Sequence, residues 1–327
     1  MKAAIFERFG EPAEVLQLRE VPRPAPGPGQ VRVRMLASPI NPSDLAMIRG
    51  VYGQRPRLPA TPGFEGVGVV TAAGPGWLGR LRKGRRVAVL NAQGGNWQEE
   101  VVVPARHVVP IPTDIPDEQA ACFFVNPATA VVMVRHVLRV PRGAWLLQTA
   151  AASALGRMVV RLGRHDGFRT LNVVRRREQI DELLRLGADA VVCTADEILL
   201  DRVRALTDGV GVPFAIDPVG GPLTAQLIET LARHGRLLVF GTLSGEPMTL
   251  SPRDLMVGHK TIEGFWLSEW ARDQGPLTML RLFRGIVRLM RRGVLTTEVA
   301  AMYPLEQLAA AVAAASQARG KVLLRFA

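Results

Sequence analysis

The run from Ala144 to Arg177, AWLLQTAAASALGRMVVRLGRHDGFRTLNVVRRR, restricts the fold more than any other part of the chain. Ala144–Gln148 is an apolar run of strand length, and a turn of small residues follows from Thr149 to Gly156. Met158, Val159, Val160 and Leu162 then supply one helical face, and Thr170–Val174 forms a second strand that ends against three arginines. Strand, tight turn, helix and strand make the first half of a dinucleotide-binding unit. The turn lets backbone N–H groups at the helix start face a pyrophosphate.

The end of the second strand sharpens that expectation. An Asp or Glu there accepts from the ribose hydroxyls of a cofactor without a 2′-phosphate. An arginine instead donates parallel charge-assisted hydrogen bonds to a 2′-phosphate. Arg175 follows Gly156 by 19 residues, close to the spacing of roughly 20 typical of this contact. The cofactor read from the strand end is therefore NADPH. Ala151 and Ala154 stand where glycines are common, and an ordinary βαβ unit with a solvated arginine run is the plain alternative.

At 327 residues the chain has material for two domains with apolar cores. No segment approaches the roughly 20 uninterrupted apolar residues that span a bilayer, and the start of the chain lacks the long apolar region of a signal peptide. A cytoplasmic enzyme without membrane association is the expectation. Cys122 and Cys193 sit inside apolar runs, which predicts separate buried thiols rather than a disulfide framework. The formal net charge is +12, and only 4 of the 41 basic residues are lysine. The arginines are scattered rather than interleaved with aromatics, which argues against a nucleic-acid platform.

Residues 1 to about 110 read as short β-branched strands: Ala3–Phe6, Val15–Arg19, Gln30–Ala37, Gly66–Ala72, Arg86–Leu90 and Val101–Val103. The period changes near Pro116 to a helical stretch, Asp117 to about Leu138. After Arg177, helix and strand alternate: helix Glu178–Leu186, strand Ala188–Thr194, helix Asp196–Thr207, strand Val212–Asp217, helix Thr224–Arg233, strands Arg236–Gly241 and Thr261–Phe265. Six strands imply a doubly wound parallel sheet. Helices at Leu277–Arg292 and Leu305–Ala318 and a final strand, Lys321–Phe326, form the tail. The expected fold class is α/β, with a discontinuous β-rich domain (1–116 and 269–327) and a cofactor domain (117–268).

In this frame the chain resembles the medium-chain dehydrogenase/reductase superfamily: a GroES-like β-rich catalytic domain carrying GFEGVGVV (Gly63–Val70), a Rossmann domain, and a returning tail. Four stretches resemble its 2-enoyl thioester reductase branch: INPSDLAMIRGVYG (Ile40–Gly53), VNPATA (Val125–Ala130), LNVVRRR (Leu171–Arg177) and GFWLSEW (Gly264–Trp270). Zinc enzymes of the superfamily carry a histidine where this chain has Phe64. The stretch SPINPSD has no cysteine, and the five histidines are dispersed. The zinc-free branch, which also holds quinone oxidoreductases, is the one implied.

The resemblance implies roles residue by residue. Tyr52, in a glycine-flanked loop, is the expected catalytic acid. Hydride addition to the β-carbon of an enoyl thioester leaves an enolate, which a phenol of pKa about 10 can hydrogen-bond and protonate. A loop tyrosine packed on the domain below is the alternative, and Tyr303 takes that packing role. Asn126 is implied beside the nicotinamide, with a helix-internal hydrogen bond as its alternative. Ser153, Ala154, Leu155 and Gly156 are implied at the cofactor phosphates, where Ser153 is also a natural helix cap. Arg175, Arg176 and Arg177 are implied at the 2′-phosphate. Phe240, Gly241, Thr242 and Leu243 lie at a strand's C-terminal end, the edge where cofactors bind. Phe265, Trp266, Leu267 and Ser268 are implied to close over the nicotinamide, and Lys321 to lie near the cofactor. Asn41, Trp266 and Trp270 are implied at the substrate pocket.

The function implied is NADPH-dependent reduction of a trans-2-enoyl thioester carried by coenzyme A or an acyl carrier protein. A quinone or enone reductase of the same fold is one alternative. A nucleotide-binding protein without turnover is the other. The resemblance also implies a homodimer joined through the cofactor sheet.

Overall fold

In the computed structural model, which describes residues 1–326, seven strands precede the nucleotide-binding run. They are β1 (Lys2–Ile5), β2 (Gln17–Glu20), β3 (Gln30–Pro39), β4 (Glu65–Ala73), β5 (Arg86–Leu90), β6 (Glu100–Pro104) and β7 (Val108–Pro110). In β3 the residues Val31, Val33 and Met35 are buried, while Arg34 between them is exposed and Arg32 half-buried. That is the period of two of a strand with one face on a core.

Six parallel strands follow: β8 (Trp145–Gln148), β9 (Arg169–Val174), β10 (Ala190–Cys193), β11 (Val212–Asp217), β12 (Leu231–Val239) and β13 (Thr261–Gly264). They lie in the order β10-β9-β8-β11-β12-β13, the doubly wound arrangement in which chain order reverses between the first and fourth strands. Every residue of β8 and β10 is buried, as expected of parallel strands covered on both faces.

The chain then returns with β14 (Val299–Pro304) and β15 (Lys321–Arg325). These complete a seven-stranded sheet ordered β14-β15-β3-β4-β5-β7, with β6 also paired to β3. β6 pairs with Gln30–Arg34, and β15 with Ala37–Pro39. One long strand thus holds an early and a late partner in succession. The chain divides into two units: Met1–Asn126 with Phe283–Arg291 and Thr296 onward, and Pro127–Leu282 with Arg292–Leu295.

Local differences from the sequence reading have physical causes. The stretch expected as one helix, 117–138, is Asp117–Ala121, a break, Val125–Val131, and a π-helical turn at Val132–Val137. Pro127 cannot sit in a helix interior but suits a first turn, so the helix restarts just before it. The helix expected to reach Arg233 stops at Thr230, because Leu231 pairs with Val212 and opens β12. The first turn of the strand expected at Val15–Arg19 is a short helix, Pro12–Val15. Cys122 and Cys193 are both buried and unbridged, and burial pushes the Cys122 thiol up to about 12. Among the described residues no helix is long and apolar enough to cross a membrane.

Candidate active site

In the first unit the site is built on a helix absent from the sequence reading, Pro42–Arg49. Pro42 opens it, and Asp44 locks its start: Oδ2 accepts the Asn41 N–H at 2.7 Å and Oδ1 accepts the Phe64 N–H at 3.0 Å. One buried carboxylate thereby ties the helix to the residue preceding β4. Burial pushes Asp44 up to about 7, against the pull of those two amides. The helix ends on Gly50 at φ +75°, where a side chain would meet the Phe9 ring at 2.9 Å, so both conformation and space demand glycine.

Val51 and Tyr52 follow, both donating backbone N–H to Ala46 O. Tyr52 is half-buried, its ring 5.0 Å from that of Phe64 and tilted by 41°. Phe64 therefore packs the candidate proton donor at the position where zinc enzymes carry histidine. Tyr303 packs against the same core cluster, well separated in sequence.

Behind this loop lies a buried polar chain. Lys321 Nζ donates to Asn41 Oδ1 at 2.7 Å, and Asn41 Nδ2 donates to Glu65 Oε1 at 3.1 Å. Glu65 Oε2 accepts the Phe124 and Val125 N–H groups at 2.8 and 2.9 Å. All three side chains are buried. Burial raises the Glu65 carboxyl above its ordinary range, and three hydrogen-bond donors and the Lys321 charge oppose that. Lys321 thus reaches Asn41 and supplies the cation of this chain. Glu65 caps the restart of the helix that carries Asn126. The Asn126 amide is half-buried and has no hydrogen-bond partner among the described residues, so the helix-internal bond does not form. Asp44 and Glu65 escaped the sequence reading. Their signals were Asp three residues after a capping Asn, and an acid set inside the glycine and valine of β4.

In the second unit the turn after β8 packs as a dinucleotide cradle. Gly156 comes so close to Ala151 that an added Cβ would lie 2.3 Å from its carbonyl oxygen. Ser153 caps the helix Ala154–Asp166, its Oγ accepting the Gly156 N–H at 3.1 Å. That leaves the Ala154 and Leu155 N–H groups of the first turn facing outward, the usual donors to a phosphate. Buried Arg157 ties the turn down, Nε donating to Ala152 O at 3.0 Å. Buried Asp217, at the end of β11, accepts from Thr149 Oγ1, Thr224 Oγ1 and the Val219 and Gly220 N–H groups. It pins the ends of two neighbouring strands at the reversal point of the sheet, a role the sequence does not announce.

The three arginines differ. Arg177 is held by Asp196 at 2.6 Å, and Arg176 stands 3.8 Å from Glu178. Arg175 is exposed with no ion pair among the described residues. Phe240 donates its N–H to Asp217 O and Leu243 to Pro218 O, which lays Phe240–Leu243 along the same sheet edge. Phe265 donates its N–H to Val239 O, continuing the edge past β13. Trp266 immediately precedes the helix Leu267–Arg272, which includes Ser268, and the Trp270 ring lies 5.4 Å from that of His136, tilted by 59°. The turn, Arg175, Phe240–Leu243 and Phe265 thus gather at one C-terminal edge, and they fit a nicotinamide dinucleotide. Among the described residues no three His, Cys, Asp or Glu side chains gather as metal ligands.

This geometry has known counterparts. Residues 27–113 match the family model of the alcohol dehydrogenase GroES-like domain, and residues 154–283 that of the zinc-binding dehydrogenases. The chain is 35% identical to the mitochondrial enoyl-[acyl-carrier-protein] reductase of Homo sapiens over 319 residues, covering 96% of this chain and 85% of the relative. Among solved structures, a putative NADPH:quinone reductase from Bacillus thuringiensis superposes with a TM-score of 0.94 at 36% identity, over 99% of this chain and 98% of that one. The mycobacterial protein Rv1454c, solved with NADPH, superposes at 0.89 with 27% identity over 99% of both chains. The chain belongs to the medium-chain dehydrogenase/reductase superfamily, alongside the enoyl reductases and quinone oxidoreductases of its zinc-free branch.

Proposed function

We propose that this oxidoreductase uses NADPH to reduce the C2=C3 bond of a trans-2-enoyl thioester. The observation that carries the reading is Tyr52, held in the loop just after a rigidly capped helix and packed on Phe64, which stands where zinc enzymes carry a metal ligand. When bound, the nicotinamide supplies a hydride to the β-carbon. The Tyr52 phenol hydrogen-bonds the resulting enolate and gives its proton to the α-carbon, so two electrons and two hydrogens are accounted for. Asn126 orients the nicotinamide through its unpartnered amide.

The likeness to NADPH:quinone reductases favours a second reading, reduction of a quinone, which needs no proton at a carbon. Loss of NADPH absorbance with crotonyl-CoA and with a simple quinone separates the two. Thioester turnover is expected, and quinone turnover alone would overturn it. Bound NADPH that is oxidised by neither would point to a nucleotide-binding protein.

Arg175→Ala is expected to weaken NADPH binding by roughly 10- to 100-fold, the size of a lost charge-assisted contact, with little change for NADH. Arg177→Ala should cost less, since Asp196 engages that guanidinium. Calorimetric titration of both nucleotides checks this, and equal losses for NADPH and NADH would remove the 2′-phosphate assignment. We also propose a homodimer joined along β13, the terminal strand of its sheet. Sedimentation equilibrium should then give twice the chain mass of 35.5 kDa, and a single-chain mass would refute it.

A further inference from the structure

We infer that a groove in the first unit, lined by the Phe64 ring that packs on Tyr52, receives the phosphate-bearing pantetheine arm of the thioester carrier. The inference deepens the reductase reading and rests on it. The groove has a volume of about 780 Å³, within the range of small-molecule sites. Phe64 lines it, and the Phe64 ring is the one that packs on Tyr52. One aromatic ring, that of Phe64, thus separates the groove from the candidate proton donor.

Its chemistry is one-sided. Arg55 and Arg57 line the groove, and no Asp or Glu does. Arg55 is fixed in place, with Nε donating to Gly50 O at 2.8 Å and the guanidinium 5.6 Å above the Phe9 ring. Its Nη groups have no partner among the described residues, and exposed Arg57 has none at all among them. Two unpaired guanidinium groups without a neighbouring carboxylate suit a phosphate. Gln54 and Gln93 add exposed side-chain amides, each both donor and acceptor. A pantetheine arm carries two amides and ends on a phosphate, so these partners match it group for group. A quinone offers neither.

Coenzyme A and acyl carrier proteins share this arm, and the test has an arm for each. Steady-state kinetics are measured for wild type, Arg57→Ala and Arg57→Lys with crotonyl-CoA, a crotonyl carrier protein, and crotonyl-N-acetylcysteamine, a thioester without phosphate. Arg57→Ala is expected to raise KM about tenfold more for the two phosphorylated substrates than for the N-acetylcysteamine thioester. Arg57→Lys should recover part of the loss. A uniform change across all three substrates would overturn the inference. So would a change confined to crotonyl-CoA, which would assign Arg57 to its nucleotide end. If wild type reduces quinone and no thioester, the reductase reading fails instead. Phosphopantetheine binding by calorimetry, weakened in Arg57→Ala, then tests the groove separately, and equal affinities would overturn it.

Discussion

Tyr52→Phe is expected to lower turnover of a trans-2-enoyl thioester by about 100-fold or more, the usual contribution of a positioned general acid. The argument rests on what the change leaves intact. The ring still packs on Phe64, and the loop is still held by the backbone bonds to Ala46 and by Gly50. Only the hydroxyl is lost, so NADPH affinity should not move. Hydride can still reach the β-carbon, but the enolate then waits for a proton from water. A solvent isotope effect that grows in the variant would show this. Thioester turnover equal to wild type would end the proton-donor assignment.

Lys321→Met should destabilise the first unit by on the order of 3 kcal/mol, because removing one partner strands a buried charge. Asn41 loses the donor to its carbonyl, and Glu65 loses the cation that offsets its burial. The pH dependence gives the sign. A carboxyl whose folded pKa is raised keeps its proton in the folded state where the unfolded chain has lost it. Its cost is therefore absent below the ordinary carboxylate pKa and grows as pH rises toward the raised value. Without Lys321 the Glu65 pKa climbs further. Denaturant unfolding should thus show a larger deficit near neutral pH than in mild acid. A deficit that is flat with pH would mean the loss is one of packing alone.

The cofactor unit was largely legible because buried parallel strands read as short β-branched runs between small-residue turns. Val212–Asp217 has the same limits in sequence and structure. The helix Pro42–Arg49 was hidden, since its apolar residues are too few to show a period over eight positions. Its start signal, Asn-Pro-Ser-Asp, was the better clue. The site divides the same way. Ser153 as a cap and Gly156 at a close approach follow from local chemistry. No local rule reveals that Asp196 engages Arg177 and leaves Arg175 unpaired, or that Lys321 meets Asn41. Such pairings depend on tertiary contacts between residues far apart in sequence.

The pairing of β3 with β6 along one half and with β15 along the other sets an order of completion during synthesis. Once Gly264 has left the ribosome's exit tunnel, all six strands of the cofactor sheet have been released. The sheet begun at Lys2 still lacks its closing strand, and Glu65 still lacks its ammonium. The sheet started earlier is thus the later to finish. Until Lys321 emerges, the nascent protein carries a nucleotide-binding half beside an open strand edge and an uncompensated acid.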